Sequence, residues 1–162
     1  LLAAAFGLRA ARLPATAALD AAAPALLVGL LALSLADFLA GPGYGSESSL
    51  PWAVSLFGIR RHPVQVYEIG VGLLTLWAWL AWRPSRPAPG RLFLLSAAVY
   101  AAGRLFVDAF RADSPLTAGG YHLVQIACLV VLLLAVALLG RAGPTSAPAA
   151  PEPQGPSFAK PH

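Results

Sequence analysis

Four apolar stretches of the chain are each long enough to cross a bilayer, whose hydrocarbon core takes about 20 residues of helix. They are residues 20–40 (DAAAPALLVGLLALSLADFLA), 63–82, 91–111 (RLFLLSAAVYAAGRLFVDAFR) and 121–140 (YHLVQIACLVVLLLAVALLG). Pro24 and Pro63 fall in the predicted first turns of the first two, where a missing N–H costs little. Residues 1–8 (LLAAAFGL) read as the end of an earlier span, being too short for a signal peptide and without its basic n-region or cleavage site. From Arg141 onward the chain is Pro, Ala, Ser and Gly without periodicity, which predicts a disordered cytoplasmic tail over 141–162. The pattern is therefore all-α: a polytopic integral membrane domain over residues 1–140, with four full transmembrane helices plus the end of an earlier one.

Composition strengthens this reading. The 162 residues are 58% hydrophobic and 11% charged, against roughly 25% charged in soluble domains. The chain begins at Leu1 and has no methionine, which we read as a missing native N-terminus. The single cysteine, Cys128, rules out an internal disulfide and any multi-cysteine metal site; mid-span, it reads as a small core hydrophobe. No metal and no cofactor are expected.

The net charge of +4 follows from topology and does not predict a nucleic-acid surface. Arg9, Arg12, Arg83, Arg86, Arg91, Arg141 and Lys160 fall on one side of the predicted spans, and Arg60, Arg61 and Arg111 on the other. Seven basic residues against three make the first side cytoplasmic. The 41–62 and 112–120 loops then face outward, and Gly41, Gly43 and Gly45 read as turn residues folding the first of them back on the membrane.

Polar residues interrupt the pattern at the outer ends of two spans. Gln65, Glu68 and Gly72 form one helical stripe, and Tyr100, Arg104, Asp108 and Arg111 form another. At 1.5 Å per residue Arg104 lies roughly 10 Å deeper than Arg111. An unpaired charge at that depth costs about 2.5–3.5 kcal/mol or more. The stripes are therefore expected to face each other, with Glu68 or Asp108 against Arg104. Such a pairing is either a salt-bridge staple or a polar cleft, and intramembrane ionisable groups favour the cleft. Its arginines suit a phosphate. His62 is either a general base near neutral pH or a cap at the helix start. Tyr67, Trp52 and Tyr121 read as interface anchors or contact residues, and Trp77, Trp79 and Trp82 as anchors at the inner end. A transporter reading lacks repeat symmetry and paired broken helices.

RHPVQVYE (61–68), preceded by LPWAV (50–54), resembles the Arg-His-Pro-x-Gln-x-Tyr-Glu element of the prolipoprotein diacylglyceryl transferase family. GRLFVDAFR (103–111) resembles that family's Arg-x-x-x-Glu-x-x-Arg helix, with Asp108 for glutamate, and YHLVQIACL (121–129) the start of its last span. The family signature Gly-Arg-x-Gly-Asn-Phe-x-Asn-x-Glu corresponds to LSLADFLAGP (33–42). There Ser34, Asp37, Ala40 and Pro42 replace the arginine, both asparagines and the glutamate, and Phe38 is kept.

The resemblance implies a membrane enzyme without metal or organic cofactor. It would move diacylglyceryl from phosphatidylglycerol to the lipobox cysteine thiol of a preprolipoprotein signal peptide, at the outer leaflet of the bacterial plasma membrane. On this reading His62, Glu68, Arg104 and Asp108 are the catalytic candidates, and Arg61, Gln65, Tyr67 and Arg111 the substrate-binding ones. The alternative is a family member without the chemistry, acting as a lipid- or partner-binding membrane module.

Overall fold

The structure, a computed structural model, describes residues 14–41, 43–56, 58–85 and 87–141. The earlier span expected at 1–8, Pro42, Arg86 and the tail beyond Arg141 lie outside the described residues. Four helices account for most of the rest: α1 (Ala15–Ala40), α2 (Val64–Trp82), α3 (Arg91–Asp108) and α4 (Leu123–Arg141). Between α1 and α2 lies a two-stranded antiparallel hairpin, β1 (Val54–Leu56) and β2 (Ile59–Arg61), with Ser55 opposite Arg60. The hairpin is absent from the periodicity reading, since strands of three residues are too short to show alternation.

Among the described residues three helices, α1, α2 extended to Ser85, and α4, are long and apolar enough to cross a membrane. The four expected spans thus reduce to three by this measure. The exception is α3, whose 18 residues carry Arg91, Arg104 and Asp108. Two boundaries also differ from expectation. Pro24 lies well inside α1, which starts at Ala15, so the carbonyl of Asp20 loses its helical N–H partner there. At the other end of the bundle α3 stops at Asp108. Phe110 and Arg111 donate their N–H groups to Val107 and Asp108 at 3.0 and 3.1 Å, a tightening that lifts Arg111 off the helix.

Apolar and polar residues are placed inside out relative to a water-soluble protein. Gln65, Thr75 and Asp108 are among the most completely buried side chains, while Leu39 and Trp77 are 77% and 66% exposed. So large an apolar exterior would drive aggregation in water and matches lipid instead. Two of the buried hydroxyls are satisfied within their own helices, Thr75 donating to Val71 O and Ser96 to Leu92 O, both at 2.8 Å.

Helix α3 contacts each of the other three, α4 most extensively. The Asp20 carboxylate on α1 accepts the N–H groups of Gly90 (2.6 Å) and Phe93 (2.7 Å), capping the start of α3 from a neighbouring helix. At the opposite end, residues 44–48 run between β2 and the turn after α3. Ser46 donates to Phe110 O (2.8 Å) and accepts from His62 N (3.0 Å), and Ala112 donates to Tyr44 O (3.1 Å). These backbone bonds tie the ends of α2 and α3 together over one polar region.

Candidate functional site

Glu68 is the centre of that region. The buried stripe of α2 (Gln65, Glu68, Gly72, Thr75) turns it toward α1 and α3, and its side chain is 5% exposed. Oε1 pairs with Arg104 Nη1 and accepts from Arg111 Nη1 at 2.6 Å, while Oε2 accepts from Ser34 Oγ at 3.2 Å. One carboxylate therefore gathers two guanidiniums from α3 and the turn after it, and a hydroxyl from α1. Guanidinium N–H groups gathered at one point in this way suit a phosphate, which they can bind through paired hydrogen bonds.

Arg111 is held from its other side as well. Its Nε donates to Asp113 Oδ1 at 3.1 Å, and Asp113 Oδ2 accepts from Gly43 N at 2.8 Å. Gly43 has φ +75°, which favours glycine, and a Cβ there would lie 2.7 Å from Arg111 Nη2, so that the guanidinium would have to shift. Burial works to lower the Arg111 pKa, but Glu68 and Asp113 outweigh it and hold the group above its ordinary value. Arg111 is thus charged throughout the physiological range.

Asp108 has a different environment from the one its stripe predicts. Fully buried, it accepts from Ser114 Oγ with both oxygens at 3.0 Å, and its Oδ2 lies 3.1 Å from His122 Nδ1. These contacts join the end of α3 to the start of α4. The pairing expected for Arg104 is made by Glu68.

Arg61 donates to Gly45 O at 3.2 Å and lies over the Tyr44 ring at 4.9 Å. Gln65 is buried beside Glu68 on α2. His62 and Tyr67 sit together elsewhere: Tyr67 Oη accepts from Trp52 Nε1 at 2.9 Å and lies 3.3 Å from His62 Nδ1. The His62 ring packs on Phe110, 5.0 Å between centroids. The eight expected site residues therefore divide. Glu68, Arg104 and Arg111 form the charged cluster, His62 and Tyr67 border an aromatic groove beside it, Asp108 faces α4, Arg61 the 44–45 loop, and Gln65 the bundle interior. Asp113, Ser114 and His122 carry no signal in the sequence pattern, and Ser34 stands out there only as the residue replacing the signature arginine. Each makes its contact as a single residue, without a repeated spacing to mark it. Among the described residues no group of three or more His, Cys, Asp or Glu could hold a metal.

Membrane-length helices that gather two arginines and a carboxylate at one end define an integral membrane protein with a polar site. Residues 1–141 match the family described as prolipoprotein diacylglyceryl transferase, and the chain belongs to that family. Similar curated proteins are named phosphatidylglycerol–prolipoprotein diacylglyceryl transferase. One from Methylococcus capsulatus is 36% identical over 135 residues, 76% of this chain and 50% of the relative. Another from Thermosynechococcus vestitus is 29% identical over 127 residues, covering 71% and 47%. A third from Streptomyces coelicolor is 33% identical over 141 residues, covering 80% and 40%. The chain thus spans about half the length of the curated relatives it matches. No solved structure matches it.

Proposed function

We propose that this chain acts as a phosphatidylglycerol–prolipoprotein diacylglyceryl transferase, with Arg104 and Arg111 binding the phosphate of the donor lipid. The observation that carries the reading is the joint pairing of both arginines with buried Glu68, in a member of this family. α3 is then the fourth span. Its charges are tolerable in the membrane because Arg104 meets Glu68 and Asp108 meets Ser114 and His122. The positive-inside count supports an outer-leaflet position for the Glu68 end.

In the reaction, the lipobox cysteine sulfur attacks the glyceryl carbon that carries the phosphate. A C–S bond forms, and the C–O bond breaks with its electron pair going to the phosphate oxygen. The thiol proton passes to a base, and glycerol phosphate leaves. Negative charge on the phosphate grows as the C–O bond lengthens, so guanidiniums bound to it stabilise the transition state more than the ground state. Glu68 and Asp113 pre-position Arg111, and Glu68 does the same for Arg104, so little reorganisation accompanies lipid binding. Asp108 contributes by fixing the turn after α3, from which Arg111 projects. Gln65, buried beside Glu68, would brace the cluster from the bundle interior, and Arg61 would hold the 44–45 loop.

Complementation of a transferase-depleted strain by the intact gene tests this reading. Restored lipidation of lipoproteins supports it. Failure despite normal membrane expression would favour a lipid- or partner-binding module, consistent with Ser34 standing where the family signature has arginine.

A further inference from the structure

Trp52, Tyr67 and His62 form a chain of polar groups in otherwise apolar surroundings, and the arginine cluster uses none of them. They border an open groove of about 320 Å³ that Leu50, Phe106 and Phe110 complete. Val107, also in its wall, is one helical turn from Arg104 and accepts from Phe110 N in the turn that carries Arg111, so the groove adjoins the cluster.

The hydrogen-bond chain orders its protons. An indole nitrogen can only donate, so Trp52 Nε1–H is the donor to Tyr67 Oη at 2.9 Å. With Trp52 as its donor, Tyr67 keeps its own hydroxyl proton to give to His62, whose Nδ1 lies 3.3 Å away. A neutral imidazole that accepts at Nδ1 carries its own proton on Nε2.

We propose that His62 is a hydrogen-bond donor to the polypeptide substrate and not the general base: Trp52 and Tyr67 set its tautomer so that Nε2–H meets a backbone carbonyl of a peptide in this groove. The proposal rests on the transferase reading. A peptide is favoured over the lipid by height. With its phosphate at Arg104 and Arg111, a phospholipid places its ester carbonyls one glycerol unit deeper in the bilayer. The groove instead lies level with the last turn of α3, beside loop residues Leu50 and Trp52. An extended peptide entering the interface there would set apolar side chains against Phe106 and Phe110.

The experiment uses the full-length protein in phosphatidylglycerol vesicles with a synthetic signal peptide containing one cysteine. Initial rates are measured for wild type, His62→Ala, His62→Gln and Tyr67→Phe. Loss of one neutral hydrogen bond raises the peptide KM about tenfold in His62→Ala, with kcat and the lipid KM little changed. His62→Gln, which keeps an N–H donor, recovers most of that loss, and Tyr67→Phe shifts the peptide KM upward. Equal collapse of kcat in His62→Ala and His62→Gln would identify a base and overturn the proposal. A rise confined to the lipid KM would overturn it too.

Nitrogen-15 NMR of histidine-labelled protein without substrate, assigned through His62→Gln, provides a second readout. Protonation at Nε2 is expected, and protonation at Nδ1 overturns the proposal while leaving the transferase reading intact. An inactive wild type would overturn the transferase reading, and the peptide assignment with it.

Discussion

Arg111 lies beyond the last residue of α3 yet reaches Glu68, 43 positions earlier in the chain, at 2.6 Å. Because Arg104 meets the same carboxylate oxygen, Glu68 is the only carboxylate among the described residues that pairs with both arginines. Replacing it by glutamine leaves Arg104 without its carboxylate and Arg111 with Asp113 alone. Glu68→Gln is expected to destabilise the protein by about 2–3 kcal/mol, read as a lower thermal midpoint in detergent. Adding Arg111→Gln should recover part of the loss, and an additive double variant would show that the pair is uncoupled.

Arg104 and Arg83 mark opposite ends of the bundle and should differ in lipid binding. Arg104→Ala removes charge-assisted contacts to phosphate and should weaken phosphatidylglycerol binding about a hundredfold. Arg83→Ala, at the end of α2 where the guanidinium lies over Trp79, should leave it unchanged. Equal effects in a lipid-exchange assay would count against a site at the Glu68 end.

Asp20 tests the inter-helix cap. Asp20→Ala leaves the N–H groups of Gly90 and Phe93 without their acceptor and should cost about 1–2 kcal/mol. Asp20→Asn, retaining an amide oxygen, should cost less. Hydrogen exchange confined to the first turn of α3 would report the effect locally.

Gly45 tests the loop over the site. A Cβ there would collide with His62 O, a contact that neither backbone segment can relieve by a rotamer change. Gly45→Ala should cost about 1–3 kcal/mol and displace the 44–48 segment from Phe110 and His62. Helix content measured by circular dichroism should be unchanged while lipid binding falls.

The sequence carried the helices and half of the site's logic. Apolar runs located α2 and α4 within a few residues, and the cost of burying Arg104 called for an acidic partner, which Glu68 supplies. The same reasoning could not choose between Glu68 and Asp108, because both lie on stripes at the same depth. What separates them is Ser114 and His122, which reach Asp108 from a loop and from the residue before α4. Nor could periodicity show that Arg111 leaves the helix, since its spacing fits a stripe that α3 does not continue. The hairpin and the 44–48 segment depend on backbone pairing between distant residues, such as Gly45 with Arg111, which side-chain pattern does not encode.

The central claim is that Arg104 and Arg111 bind the donor phosphate during diacylglyceryl transfer. Its most direct test is the mass of a cysteine-containing precursor peptide after incubation with the full-length protein in phosphatidylglycerol vesicles. Wild type should add one diacylglyceryl group, and an Arg104→Ala/Arg111→Ala variant, folded and inserted at wild-type levels, should add none. Thioether product formed by that variant at the wild-type rate would contradict the account.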